Sequence, residues 1–175
     1  MLTQNQLDEF DETFWYHAGV LVSQSKLYLL GGERLSGTPE YAAADALFEM
    51  LLVRLRTFDS FFSATNIQQQ DDAIATQFAA NWNAHHFLTA DERQNINKRL
   101  PHLTYSQPPV HEWPIGQMVH RCLGTILDFL QHVPGNLTPR WAYRRQEITD
   151  YLAGEFTQHA LDDIWTEQNR HAHRR

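Results

Sequence analysis

Cysteine is almost absent from this chain: Cys122 is the single one among 175 residues. One thiol excludes an internal disulfide framework, and such sparing use of cysteine is typical of cytosolic proteins. Cys122 falls on the apolar seam of a predicted helix, so we expect an inert core thiol rather than a nucleophile. The sequence therefore predicts a cytoplasmic protein whose fold does not depend on disulfide bonds.

Long hydrophobic runs are also missing. The longest ones, such as residues 48–53, are interrupted within a few positions, whereas a membrane-spanning helix needs about 20 apolar residues. The first residues lack a basic region followed by an apolar one, so no secretory signal is predicted. A hydrophobic content of 42% with five Trp is still sufficient for a packed core. We expect one folded domain without membrane association.

Several common catalytic motifs are not present. Gly31-Gly32 is not followed by the Gly-Lys-Ser/Thr of a phosphate-binding loop, and there is no Gly-x-Ser-x-Gly elbow. None of the ten His residues lies four positions from another, which is the spacing that places two metal ligands on one helix face. Ligands from separate helices, for instance His17, His86 and His120, are the remaining route to a metal site. We predict no cofactor and no metal.

Negative charge dominates the first half of the chain. Residues 1–90 carry four Lys/Arg against eleven Asp/Glu, whereas residues 91–175 carry ten of each. The net charge of −7 disfavours a protein that coats nucleic acid nonspecifically. Local basic clusters remain, either as solvated helix faces or as contact sites. They are Arg93/Lys98/Arg99, Arg140/Arg144/Arg145 and the tail 170–175.

Helical periodicity accounts for most of the remaining pattern, and strand signals are nearly absent. Capping-box pairs at Thr3/Gln6 and Thr89/Glu92 mark two helix starts. The predicted helices cover about 3–30, 40–62, a short stretch from a cap at Asp71 or Asp72 to Trp82, 89–102, 114–133, and a last region from Thr138. We predict an all-α fold, an antiparallel bundle of five or six helices. Residues 1–133 form the bundle, and residues 134–175 form a C-terminal helical extension and basic tail packed on the same domain.

The residues best suited to chemistry lie between positions 95 and 105. Metal-independent RNA cleavage needs a base for the 2′-hydroxyl, a cation for the developing phosphorane charge and a group that holds the nucleotide. His102 suits the first task, Lys98 and Arg99 suit the second, and Asn97 with Tyr105 suits the third. Pro101 predicts a kink or helix end next to His102.

Three further residues are candidates for substrate binding. Arg93 precedes this segment on the same predicted helix. Arg54 borders the apolar face of the second helix, and Asp59 follows it among three Phe residues. Arg54 and Asp59 are compatible with a buried polar pair against the kinked segment, and also with an ordinary surface pair.

The segment Ile96-Asn97-Lys98-Arg99-Leu100-Pro101-His102 resembles the motif of the HEPN superfamily, small helical bundles that include metal-independent ribonucleases. The family's block reads much like Arg-Asn-Lys-x-x-Ala-His, and this chain matches it at Asn97, Lys98 and His102. The resemblance extends over about residues 1–133 and is specific over about ten of them. The positions where the family's Arg would stand are occupied by Asn95, Ile96 and Asn97.

The resemblance implies a protein of a bacterial defence or toxin–antitoxin setting that binds RNA or a protein partner such as an antitoxin. It also implies metal-independent RNA cleavage if Lys98 or Arg99 replaces the missing Arg, with His102 as base and Asn97 positioning the ribose. A homodimer is implied by the same analogy. One alternative is a non-enzymatic interaction module that uses the acidic N-terminal half or the basic Arg140–Arg145 face. The other is a metal-dependent bundle enzyme.

Overall fold

The chain folds into α-helices. The computed structural model describes residues 3–30, 39–67, 69, 72–100, 113–133 and 141–154. Its helices are α1 (Gln4–Leu30), α2 (Pro39–Ser63), α3 (Ala75–Phe78), α4 (Ala90–Arg99), α5 (Ile115–His132) and α6 (Trp141–Leu152). These ranges contain no strand, which confirms the predicted all-α class. No helix within them is long and apolar enough to cross a bilayer.

Helix α1 begins where its capping box predicts. The Thr3 backbone N–H donates to Oε1 of Gln6 at 2.9 Å, and the Gln6 N–H donates to the Thr3 hydroxyl at 3.3 Å. These two bonds satisfy donors that the first helical turn leaves without partners. The helix ends at Leu30, as expected, and the predicted stop at Gly31-Gly32 lies outside the described residues.

The centre of the fold is formed by α1, α2 and α5, each of which packs against the other two. Gln24 near the end of α1 meets Met50 near the middle of α2, whereas His17 meets Arg54 further along. Contacts of this order make α1 and α2 antiparallel. Helix α4 packs on α2, and α6 packs on α1 and α5.

Aromatic rings fill the space between the three central helices. The ring of Phe129 on α5 lies 5.4 Å from Phe14 on α1 and 5.6 Å from Phe62 on α2, measured between centroids. Each fully buried side chain of this size contributes about 1.5–3 kcal/mol to folding. The α5 seam predicted from the sequence is buried as a whole, from Ile115 to Val133.

Two local predictions were wrong. Helix α3 is a single turn whose N-cap is Ile74, not Asp71 or Asp72, and Trp82 lies in the loop that follows. The Trp82 indole donates from Nε1 to the Phe62 carbonyl at 2.9 Å. Its ring reaches the core from the loop, so the burial of Trp82 does not depend on a helix at this position. Pro114 is the N-cap residue of α5 rather than its first helical residue.

The described part of the C-terminal region is α6. Its Trp141 donates from Nε1 to Oδ1 of Asp11 on α1 at 2.6 Å, and its Ile148 is fully buried. These contacts fasten α6 to the central helices. The predicted helix start at Thr138, the continuation past Gly154 and the basic tail lie outside the described residues.

Candidate functional site

Helix α4, which carries the candidate residues Arg93, Asn97, Lys98 and Arg99, is held along α2 by charged side chains at both of its ends. Asp59 of α2 contacts the loop before α4, and Asp45 contacts the last turn of α4. The two helices are therefore antiparallel.

Asp59 is the most fully engaged carboxylate of this contact. It is 2% exposed, and its Oδ1 accepts hydrogen bonds from the backbone N–H groups of Phe87 and Leu88, both at 2.9 Å. Its Oδ2 lies 2.7 Å from Nδ1 of His86. Because an ionised carboxylate only accepts, His86 donates from Nδ1. The His86 side chain is 47% exposed, so Asp59 fixes the orientation of an imidazole that water reaches.

The N-terminal end of α4 is also tied to α5. Thr89 and Glu92 form the predicted capping box, with bonds of 2.8 and 3.2 Å. The Glu92 carboxylate in turn receives Nη2 of Arg121 at 2.6 and 2.7 Å, and Arg121 also donates from Nε to the Phe87 carbonyl at 3.0 Å. One guanidinium thereby joins α5, the loop before α4 and the first turn of α4.

At the other end of α4, Arg99 turns toward α2. Its Nη2 lies 3.0 Å from Oδ1 of Asp45 and 3.7 Å from Oε1 of Glu49, and its guanidinium carbon lies 5.1 Å from the centre of the Phe48 ring. The Arg99 side chain is only 10% exposed. We conclude that Arg99 positions the last turn of α4, and a phosphate would have to displace two carboxylates to reach it.

Lys98 and Asn97 differ from Arg99. Asn97 is exposed and Lys98 is half-buried, and Lys98 forms no ion pair with any residue that the structure describes. Arg93 donates from Nη1 to the Leu88 carbonyl at 2.6 Å, so it helps to close the loop before α4. Of the predicted site residues on α4, Asn97 and Lys98 are therefore the ones whose side chains have no polar partner among the residues that the structure describes.

His102 and Tyr105, the predicted base and stacking group, lie outside the described residues, as do Pro101 and the rest of 101–112. The grouping of these two side chains with Asn97 and Lys98 stays a prediction. What the structure places is the helix that leads into them: the last turn of α4 is basic, ends at Arg99 and is held against α2.

Arg54 belongs to a different part of the molecule. It donates from Nε to Oε1 of Gln24 at 2.9 Å, and its Nη1 lies 2.5 Å from Nδ1 of His17. The considered pairing of Arg54 with Asp59 is not formed, because residues five apart leave a helix about 140° from each other. The same angle separates Arg54 from Glu49. Arg54 therefore lies on a different face of α2 from the face that contacts Arg99.

The contact between His17 and Arg54 sets the protonation of the imidazole. A guanidinium only donates, so Nδ1 of His17 accepts and carries no proton. Burial, and then the charge of Arg54, lower the pKa of His17 from its usual value of 6.5. Burial also lowers the pKa of Arg54, against the opposing effect of Tyr16. His17 is thus a neutral partner of a half-buried cation, rather than a plain core histidine.

The described ranges hold no group of three or more His, Cys, Asp or Glu side chains placed to bind a metal. Cys122 is fully buried, and burial raises the pKa of its thiol well above the usual value, with a smaller contribution from Asp59. The burial of Cys122 and the raised pKa of its thiol both agree with the predicted inert core thiol.

The proposed basic face of α6 is largely occupied by intramolecular contacts. The Arg144 side chain is buried, stacks 4.4 Å from the Trp15 ring and pairs with Glu147. Arg145 donates from Nη2 to the Leu130 carbonyl at 2.9 Å. Arg140 lies outside the described residues. Arg144 and Arg145 therefore stabilise the packing of α6, and they do not form a free basic surface.

Sequence reasoning missed three residues that hold α4: Asp45, His86 and Arg121. The adjacent His85-His86 pair gave no helical pattern from which a partner could be predicted. Arg121 precedes Cys122 in sequence but is not part of the apolar seam of α5, so the seam gave no indication of its role. Their partners are between 27 and 54 positions away. No local spacing rule connects residues at such distances.

The fold and these contacts define an all-α bundle protein whose fourth helix is fixed by carboxylates of the second. No protein-family model matches the chain, and no curated protein or solved structure is significantly similar to it.

Proposed function

We propose that this chain is a HEPN-like helical protein of a bacterial defence or toxin–antitoxin system that binds RNA and cleaves it without a metal. The observation that carries this is the state of the last turn of α4. That turn is fixed on α2 through Arg99, whereas Lys98 has no counter-ion among the described residues and Asn97 is exposed. A cation and an amide on a fixed helix end are suited to binding a phosphate and a ribose.

In this mechanism each side chain has one task. His102 takes the proton of the 2′-hydroxyl, since an imidazole titrates near neutral pH. The 2′-oxygen then bonds to phosphorus, the bond between phosphorus and the 5′-oxygen breaks, and water protonates the leaving 5′-oxygen. Lys98 stabilises the negative charge that develops on the phosphorane, and Asn97 holds the ribose. Tyr105 stacks on the base. Arg99 acts as a positioning residue, because its Nη2 already contacts the Asp45 and Glu49 carboxylates.

The test is incubation of the purified chain with a fluorescent single-stranded RNA in the presence of a chelator. We expect cleavage that His102→Ala abolishes and that Lys98→Ala slows by about a hundredfold or more, the usual effect of removing one charge-stabilising group. His85→Ala is the matched control, because His85 is also an exposed imidazole but lies in the loop before the N-terminal end of α4. The His85→Ala variant should cleave at the wild-type rate.

Binding is measured on the same RNA by fluorescence anisotropy. Lys98→Ala should weaken binding and reduce its dependence on salt, since one phosphate contact is lost. Cleavage that persists in His102→Ala, or that the chelator abolishes, contradicts the proposed mechanism. If the wild-type chain neither cleaves nor binds this RNA, the proposed function itself is wrong.

A further inference from the structure

Arg54, a cation that pairs with no Asp or Glu of the described ranges, lies in the outer seam between α1 and α2. The polar contacts of Arg54 are to Gln24 and His17, both of which are uncharged in this arrangement. No Asp or Glu among the described residues lies within ion-pairing distance of it. A guanidinium has more N–H donors than these two contacts use, so part of its hydrogen-bonding capacity remains for an external acceptor.

This arrangement has an energetic cost that a ligand would relieve. Withdrawing a charged group from water is unfavourable unless an opposite charge or sufficient hydrogen bonds compensate it. The lowered pKa of Arg54 reflects this burial. Gln24 and His17 hold the guanidinium in place, and an incoming anion would therefore meet a donor group that is already ordered.

Three residues close to Arg54 or His17 in sequence are exposed hydrophobic side chains. Tyr16 is 54% exposed, Met50 48% and Val53 49%, which makes them three of the most exposed large hydrophobic residues that the structure describes. Met50 and Val53 lie one turn and one residue before Arg54 on α2, and Tyr16 precedes His17 on α1. We call these three residues, together with Arg54, the α1–α2 patch.

We propose that the α1–α2 patch is the docking surface for a protein partner that presents one carboxylate to Arg54 and apolar side chains to Tyr16, Met50 and Val53. Tyr, Met and Arg are enriched at protein interfaces, and Tyr and Arg supply much of their binding energy. Because no described carboxylate pairs with Arg54, we expect the partner to supply one, and the exposed Tyr16, Met50 and Val53 side chains define the rest of its contact.

The composition of the patch distinguishes this partner from RNA and from a second copy of the chain. RNA binding relies on several cations, but the patch has one, and residues 1–90 carry a net charge of −7. A symmetric dimer centred on the patch would bring two Arg54 side chains together, and the patch contains no carboxylate to separate them. The surface lies on another face of α2 from the Asp45–Arg99 contact, so it is independent of the proposed RNA site.

The probe is a library of random dodecapeptides displayed on phage and selected on the immobilised full chain. We expect the selected peptides to share one Asp or Glu flanked by apolar residues. Synthetic versions are then measured by fluorescence anisotropy against the wild type, Arg54→Gln and Arg56→Gln. Arg56 is exposed on another face of α2, so its variant makes the same charge change away from the patch.

Arg54→Gln should weaken peptide binding by about tenfold or more, as expected when one member of a desolvated charge pair is removed, and Arg56→Gln should not change it. Replacing the peptide carboxylate by its amide should lower the affinity of the peptide for the wild type by a similar factor. The same replacement should cause little further loss of affinity for Arg54→Gln. This double-mutant cycle isolates the pairing of the two charges.

Arg54→Gln also removes contacts inside the protein, so Val53→Glu provides a second variant at an exposed position. It should fold normally and repel the same peptides. Selected peptides without a common acidic residue, or equal binding to Arg54→Gln and wild type, would overturn the proposal. Binding of an oligouridylate to the wild type and to Arg56→Gln, but not to Arg54→Gln, would also overturn it, because that result indicates a phosphate site. So would a dimer of the wild type that Val53→Glu dissociates, because that result indicates a second copy of the chain.

Discussion

Replacement of Asp59 by Asn is the most direct test of how the fold holds α4. The wild-type carboxylate is almost completely buried and accepts three hydrogen bonds, from Phe87, Leu88 and His86. Asn has nearly the same shape and keeps one oxygen, but it loses the charge and places an amide in the site. The substitution therefore removes electrostatics with little change in packing.

The expected magnitude follows from the kind of bond that is lost. A hydrogen bond to a charged group contributes roughly 1.5–3 kcal/mol and a neutral one roughly 0.5–1.5 kcal/mol. With three bonds at one buried acceptor, and with neighbouring effects that do not add fully, Asp59→Asn should lower the free energy of unfolding by about 3 kcal/mol. His86→Ala should cost less, because its imidazole is half-exposed and such pairs are screened by water.

Urea denaturation measures the free energy, and hydrogen exchange measures where it is lost. The Phe87 and Leu88 amides should exchange faster in Asp59→Asn, since their acceptor is weakened. Asp91→Asn is the control, because Asp91 is an exposed acid in the first turn of α4, and we expect little change. If Asp59→Asn unfolds within about 0.5 kcal/mol of the wild type and both amides keep their protection, Asp59 does not hold the loop as described.

The stability of the chain should fall as the pH drops through 6.5, because the folded state lowers the pKa of His17 and the unfolded chain then binds the proton more readily. The stability advantage of the wild type over His17→Gln should shrink between pH 7.5 and 5.5 in urea titrations, and parallel pH profiles would contradict this. Gly19→Ala should lower the melting temperature, because its Cβ would collide with the guanidinium of the buried Arg144. Gly124→Ala, which has open space, should instead stabilise α5 by about 0.5–1 kcal/mol in the same melts. The Cys122 thiol should react with a disulfide reagent only at the rate of unfolding, since it is buried and its pKa is raised; rapid labelling of the folded chain would refute its placement.

Much of the helical structure could be predicted from local pattern. The Thr3/Gln6 and Thr89/Glu92 capping boxes form as expected, because both partners lie three residues apart on one turn. The apolar seam of α5 is buried for a similar reason: residues at helical spacing share a face whatever that face packs against. Helix α3 was overestimated, because Trp82 fits the same spacing but reaches the core from a loop.

The candidate site could be predicted only in part. Its residue types follow from the sequence between positions 95 and 105, and their grouping into a site stays a prediction. The structure describes Asn97 as exposed and Lys98 as half-buried on α4. The partners of Arg99 and Arg54 could not be predicted. Arg99 pairs with a residue 54 positions away and Arg54 with residues 30 and 37 positions away, and these pairings depend on which helices become neighbours.

By itself, the sequence determined the class of the fold, the starts of α1, α2 and α4, and the apolar seam of α5 that enters the core. These properties depend on interactions within one or two helical turns and on the burial of apolar surface, both of which can be read from spacing. Tertiary structure alone decided which charges meet: Asp59 with His86, Arg99 with Asp45, and Arg54 with no carboxylate in the part of the chain that the structure describes. The physical reason is that an ion pair forms within a few ångströms, and the packing of whole helices sets those distances.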